Sequence, residues 1–206
     1  AKFGVFGDGK ELPQIAMSKF FRNGDFRSGY YRDQTFMMSI NQLTPDQFFA
    51  QLYAHTDIQF DPHSAGRQMN CHFGTRMLNS SGKWKTLTDM KNSASDVSCV
   101  SGQMPRLVGL GYASKLYRNN KNLSGMENFS INGNEVIFGT IGDASTSEGH
   151  FWESINACGV LQLPVVMSIW DDGYGISVPS EYHTTRNDLS KVLSGFQRSS
   201  KKENYY

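Results

Sequence analysis

The chain has 206 residues, enough for one domain with a real core, and 20 Lys and Arg against 19 Asp and Glu leave a net charge of +1. That balance excludes a polybasic nucleic-acid groove or membrane patch, and no apolar run approaches the ~20 residues that span a bilayer. The N-terminus reads without a signal-peptide pattern, and Cys71, Cys99 and Cys158 are too few and too widely spaced for a disulfide frame, so they fit thiols in a reducing, cytoplasmic setting.

In chain order, residues 1–11 read as a strand or extended arm ending in a Gly7-Asp8-Gly9 turn. Residues 12–21 form a short amphipathic helix with Pro13 in its first turn. Residues 22–29 are polar and glycine-bearing, hence a loop, and the compact cluster Tyr30-Tyr31-Arg32-Asp33 follows. Thr44-Pro45-Asp46-Gln47 has the form of a capping box with proline at the first helical position, and Phe48, Phe49, Leu52 and Tyr53 then share a face. Regular periodicity is lost over residues 55–95, and so long an irregular stretch is usually functional or mobile. Residues 104–118 make a helix kept small-sided by Gly109, Gly111, Ala113 and Ser114, and 119–134 a polar connection. Aromatic residues concentrate before residue 75, which fits either a covered interface or ordinary core.

The densest signal lies beyond residue 134. Glu135 to Ile141 is apolar and β-branched, as a buried parallel strand should be, and residues 163–170 make a second buried strand. Between them Ser145-Thr146-Ser147-Glu148 has capping-box form, and Phe151, Trp152, Ile155 and Cys158 supply a buried helical stripe. Asp143 and Asp171-Asp172 therefore sit at the carboxyl ends of two parallel strands, where open α/β sheets bind their ligands. Two carboxylates beside a helix start suit a magnesium ion carrying a diphosphate. Residues 177–206 are mostly polar, with Asp188 capping a short helix that reaches Leu193 and Lys201-Lys202 solvated.

This bracket resembles the thiamine diphosphate signature, a Gly-Asp-Gly followed at a set distance by an Asn pair. Here 26 residues separate Gly142-Asp143-Ala144 from Asp171-Asp172, with Ala144 for the third glycine and an Asp pair for the Asn pair. Gly7-Asp8-Gly9 matches the first half but has no pair at the right distance, so it is a turn. Tyr31-Arg32-Asp33, Gly66-Arg67-Gln68-Met69 with His72, residues 98–105, Ser147-Glu148-Gly149 and Asp172-Gly173-Tyr174-Gly175-Ile176-Ser177 occur together and in order. As a set they resemble the alpha-subunit-type part of the decarboxylating component of 2-oxo acid dehydrogenase complexes. The branched-chain (2-oxoisovalerate) type is the nearest match, above all a fused alpha-beta form.

The resemblance implies an α/β thiamine diphosphate-binding fold, a parallel sheet flanked by helices, in one diphosphate-binding domain over residues 1–206. Within it 1–43 is an N-terminal arm and cofactor-contact segment, 44–134 helices and a long loop, 135–178 the metal-diphosphate unit and 179–206 a C-terminal extension. Asp143 and Asp172 would bind magnesium through side chains and Tyr174 through its carbonyl. Tyr31 and Arg32 would contact the diphosphate, although Arg32 taken alone is as well read as a partner of Asp33. Ser98 and Val100 match a loop beside the cofactor, Ile176 would line it, and Gly142, Ala144 and Ser145 complete the binding turn. Gln103 with Ser98 matches a monovalent-cation site, but Gly102 stands where relatives carry a threonine ligand. Trp170 stands where some relatives put a basic residue. His72 fits a supporting or a core role, and His63 a core role.

The implied activity is oxidative decarboxylation of a 2-oxo acid with acyl transfer to a lipoyl carrier subunit. An activating glutamate would come from a beta-subunit-type region, and the chain is expected to be a fragment of a homo-oligomeric assembly, inactive alone, with no catalytic residue of its own. Two other readings stay open: a non-oxidative thiamine diphosphate enzyme of transketolase or acetoin-cleaving type, and a cofactor-free scaffold domain.

Overall fold

In the computed structural model, which describes residues 6–120, 122–186 and 188–197, four strands run parallel in the order β2-β1-β3-β4. They are β1 (Phe26–Ser28), β2 (Asn92–Ser93), β3 (Ile137–Gly142) and β4 (Val165–Trp170). Phe26 pairs with Ile137, and the β3–β4 ladder runs from Ile137 opposite Val165 to Gly142 opposite Trp170. A small antiparallel hairpin, β5 (Tyr174–Gly175) with β6 (Val178–Pro179), follows the sheet.

Helices cover both faces because β3 alternates its side chains. Ile137 and Ile141 pack with Met104, Leu107, Phe151 and Ile155 from α4 (Gln103–Asn119) and α5 (Gly149–Leu161). Phe138, on the other face, packs with Phe21, Phe36, Met37, Ile40 and Phe73, against which Met17 of α1 (Glu11–Ser18) also lies. Phe36 and Met37 belong to α2 (Gln34–Ser39). The expected α/β class with helices on a parallel sheet is what the chain forms.

Local signals were legible where they were self-contained. The Thr44 box is made in full, with Gln47 N donating to Thr44 Oγ1 and Thr44 N to Gln47 Oε1, and α3 spans Pro45–Leu52. Asp188 caps α6 (Leu189–Leu193), its carboxylate accepting from Lys191 N. Residues 8–9 form the turn expected there, and none of the three cysteines is in a disulfide. Among the described residues no helix is long and apolar enough to cross a membrane. Lys201-Lys202 lies outside the described residues.

Three expectations fail. Residues 22–29 are not simply a loop: Phe26–Ser28 is a central strand. Its buried Arg27 and Ser28 carry no apolar alternation, and only the ladders to β2 and β3 make it a strand. The second strand is not fully buried, because β4 is the sheet's edge and Val166 is 40% exposed. On helix α3, Phe48 and Leu52 are half-buried, whereas Phe49 and Tyr53 are exposed. Gln51 also docks that helix, donating to His72 O at 2.5 Å and accepting from His72 N at 3.2 Å.

The third is the second capping box. Ala144–Ser147 is a 3-10 turn and α5 begins at Gly149, with no side-chain cap on Glu148. Ser147 Oγ donates to His183 O at 2.7 Å, so its hydroxyl ties the turn to the segment after β6. The stretch 55–95 is irregular as expected, apart from the Leu87–Asp89 3-10 turn, the Leu78–Trp84 bridge and β2.

Candidate functional site

The carboxyl ends of β1, β3 and β4 meet the loop before α4 and the β5–β6 hairpin around a cavity of about 220 Å³. Tyr30, Tyr31 and Arg32 come from the turn after β1, Val100 from the loop, and Gly142, Asp143, Ala144 and Ser145 from the end of β3. Trp170, Asp172, Tyr174, Gly175 and Ile176 close the remaining side. Gly175 lets the hairpin approach the 3-10 turn, since a Cβ there would sit 2.8 Å from Ala144 Cβ. Each wall is thus a strand end or a turn fixed by the sheet, which is why residues far apart in sequence converge.

Asp143 is buried, and its Oδ2 has no hydrogen-bond partner among the described residues. Burial pushes its carboxyl above the usual range; the Ala144 N–H opposes this, and the Asp172 and Asp171 charges add to it. Asp172 is more exposed. Partial burial pushes it up, but Lys10 outweighs that by hydrogen bond and charge, aided by Tyr174 N–H and Arg32, and holds it below the usual range. Lys10 Nζ donates to Asp172 Oδ2 at 2.8 Å and Tyr174 N to Asp172 Oδ1 at 3.2 Å. Asp171 Oδ1 accepts from Gly173 N at 3.1 Å.

Arg32 is not a partner of Asp33. Its Nη1 donates to Phe6 O at 2.9 Å and its guanidinium lies 5.4 Å from the centre of the Tyr31 ring. Asp33 is buried beneath the site, its Oδ2 accepting from Arg27 Nε at 2.7 Å and Thr140 Oγ1 at 2.5 Å. Arg27 also donates to Ser93 Oγ, Tyr30 O and Asp96 Oδ2, at 2.8, 2.9 and 3.0 Å. One buried guanidinium thereby joins β1, β2 and the turn that carries Tyr30, Tyr31 and Arg32.

Two buried donors in the wall, Tyr30 O–H and Trp170 Nε1–H, also lack partners among the described residues. Burial and the Asp33 charge push the Tyr30 phenol well up, so it stays a protonated donor. Ile176 holds φ +60° at 87% exposure, a strained geometry for a β-branched residue and one that gathers at ligand sites. An unmatched carboxylate oxygen, two unmatched donors and two cations suit a ligand that brings both a metal ion and anionic oxygens. Among the described residues no group of three or more His, Cys, Asp or Glu converges as a metal shell. A metal here would be held by two carboxylates and backbone or ligand oxygens, the hard donors magnesium prefers.

Of the expected residues, Tyr31, Arg32, Val100, Gly142, Asp143, Ala144, Ser145, Asp172, Tyr174 and Ile176 all line the cavity. Ser98 does not; its Oγ pairs with His72 Nε2 at 2.9 Å, and His72 Nδ1 faces Asn70 O. Gln103 is likewise engaged elsewhere, donating to Thr140 O at 3.0 Å, so the two residues expected to share a cation each have another partner. His63 is half-buried against the Phe73 ring, its Nδ1 bonded to Gly74 O at 2.9 Å. The sequence reading missed Tyr30, Gly175, Lys10 and Arg27. Tyr30 and Gly175 adjoin or lie within motifs already noted, whereas nothing local marks a lysine 162 residues from its partner or an arginine destined for burial.

The sequence model of the family described as dehydrogenase E1 component matches residues 2–198. Over 195 residues the chain is 27% identical to 2-oxoisovalerate dehydrogenase subunit alpha of Bacillus subtilis (strain 168), covering 94% of this chain and 50% of that protein. Against the mitochondrial 2-oxoisovalerate dehydrogenase subunit alpha 1 of Arabidopsis thaliana it is 30% identical over 169 residues, 82% of this chain and 29% of the relative. The human mitochondrial subunit alpha is 24% identical over 173 residues, 84% and 32% of the two chains. The chain thus spans half or less of the length of these relatives. With the family match running almost end to end over the sheet and the cavity at its carboxyl edge, this chain belongs to the dehydrogenase E1 component family.

Proposed function

We propose that the cavity holds thiamine diphosphate and magnesium in an enzyme that oxidatively decarboxylates a 2-oxo acid, branched-chain substrates being favoured. The observation that carries this is the buried, unpartnered Asp143 Oδ2 at the end of β3, facing the same cavity as Asp172 and Arg32. Asp143 and Asp172 would ligate the metal through oxygen, with the Tyr174 carbonyl completing the protein's share. Arg32 offers guanidinium donors to phosphate oxygens, with Tyr31 packed beside it. Tyr30 O–H and Trp170 N–H supply two further donors. Gly142, Ala144 and Ser145 shape the turn against which the diphosphate rests, and exposed Val100 and Ile176 give the cavity an apolar rim. His150 Nε2 steadies that rim by its contact with Val100 O. The bound cofactor supplies a carbon nucleophile and an electron sink for loss of carbon dioxide.

The exposed rim and the half-covered edge strand support a site completed by a beta-subunit-type region, fused or separate, which would bring the activating glutamate. An acyl acceptor would be a lipoyl carrier subunit with its disulfide, and exposed Phe20, Phe49 and Tyr53 support burial in a homo-oligomer. The unbridged cysteines support the cytoplasm as the compartment. The deciding experiment pairs thermal denaturation with an activity panel on the complete natural protein. Magnesium with thiamine diphosphate is expected to raise the melting temperature in wild type and not in Asp143→Ala. Branched-chain 2-oxo acids should then turn over with an artificial electron acceptor. No cofactor-dependent shift would sink the proposal, and cleavage of acetoin or a sugar phosphate without the acceptor would move it to a non-oxidative enzyme.

A further inference from the structure

One charged side chain reaches the cavity's edge from the opposite end of the chain. Lys10 immediately precedes α1, and its Nζ lies 2.8 Å from Asp172 Oδ2. The lysine side chain is 12% exposed and the carboxylate 44%, so the cation is the more enclosed partner. Its segment is clamped onto the turn that carries Arg32. Lys10 N donates to Gly7 O at 2.9 Å and Gly7 N to Gln34 Oε1 at 3.0 Å. Arg32 Nη1 donates to Phe6 O and Gln14 Nε2 to Arg32 O, both at 2.9 Å. A surface lysine tied down this thoroughly is not a solvated charge that happens to lie near an acid.

The charge balance gives it a task. Asp143, Asp171 and Asp172 cluster at the ends of β3 and β4, and Arg32 alone would offset one of the three. A divalent cation would enter such a site readily, but a diphosphate following it would meet surplus negative charge. Lys10 removes that surplus without using up Asp172 as a ligand. Oδ2 accepts Lys10 and Oδ1 accepts Tyr174 N, and a carboxylate has about four lone-pair directions, so oxygens remain for a metal. Both contacts also fix the orientation of the carboxylate.

We propose that Lys10 is a positioning residue acting through Asp172: it converts that carboxylate into an effectively neutral oxygen donor and biases the site from bare cation toward the cation–diphosphate pair. This rests on the function proposed above. A purely structural lysine would alter binding of both ligands in the same direction when removed, whereas charge compensation moves them in opposite directions.

The test measures two affinities on the complete natural protein: manganese ion alone by electron paramagnetic resonance, and thiamine diphosphate with magnesium by calorimetry. For Lys10→Met, manganese is expected to bind more tightly and the cofactor more weakly, by about tenfold for loss of one partly screened charge. Lys10→Arg, which keeps the charge, should stay near wild type in both. Adding Asp172→Asn to Lys10→Met should recover most of the cofactor affinity. Unchanged affinities in Lys10→Met, equal weakening of both ligands, or no recovery in the double variant would overturn the role of Lys10. Wild-type protein that binds no cofactor would overturn the underlying function as well.

Discussion

Arg27→Met is expected to remove a large part of the protein's stability, although it touches neither the cavity nor any surface. The guanidinium is fully buried and makes four hydrogen bonds, two of them to the buried carboxylates Asp33 and Asp96. Burial alone would disfavour its charge, but Asp96 and Asp33 outweigh burial and keep it protonated far past any working pH. Burial likewise pushes Asp33 up, with Arg27 and Thr140 acting against it. Take the arginine away and two buried carboxylates remain without their ion-pair partner. Breaking one buried pair in this way costs about 3–5 kcal/mol. Against a typical total of about 5–15 kcal/mol for a folded domain, the loss is about a fifth or more.

Urea denaturation monitored by tryptophan fluorescence gives this as a drop in unfolding free energy at unchanged slope. The contrasting variant is the triple substitution Arg27→Met, Asp33→Asn, Asp96→Asn. Replacing a whole buried ionic network by neutral groups is often close to neutral in stability, so the triple variant should regain most of the loss. An Arg27→Met protein within about 1 kcal/mol of wild type would refute the reasoning, since orphaned buried charges cannot be that cheap. The triple variant should also bind cofactor less well than its stability suggests. Arg27 bonds the Tyr30 carbonyl and Asp33 caps Tyr30 N, so the turn presenting Tyr30, Tyr31 and Arg32 loses its anchor.

Two further predictions concern pH and the backbone. His63 is held below its ordinary value, chiefly by burial against the opposing pull of Gly74 O and Asp61, and its folded pKa is therefore lower than its unfolded one. Its contribution to stability is then present above the unfolded pKa of about 6.5 and is lost as pH falls through the folded value. Melting temperature should decline below that pH, and His63→Gln should flatten the decline; an unaltered profile would exclude His63 as its source. Gly133→Ala should cost about 2 kcal/mol or more, because φ is +66° and the new Cβ would sit 2.3 Å from Ser114 O and 2.5 Å from Arg118 N. Urea denaturation reads this directly, and a neutral result would mean that the 131–134 turn can shift away from α4.

The sequence by itself determined those features whose cause is local. Proline and threonine at 44–45 start a helix because the orphan N–H groups find their acceptors within three residues. Apolar, β-branched runs became β3 and β4, and their carboxyl ends placed Asp143 and Asp172 beside one another because parallel strands joined by a helix leave their ends on one edge. The order of short motifs was enough to reach the family. Tertiary structure alone decided what depends on partners distant in the chain. Phe26–Ser28 is a strand only because β2 and β3 flank it, and Arg27 is buried only because Asp33 and Asp96 arrive to neutralise it. Ser147 reaches His183 and Lys10 reaches Asp172, 36 and 162 residues away in the chain. Hydrophobic periodicity and capping are written in neighbouring residues. The pairing of buried charge is not, since its energy depends on distance in space and on exclusion of water, and both exist only once the sheet has formed.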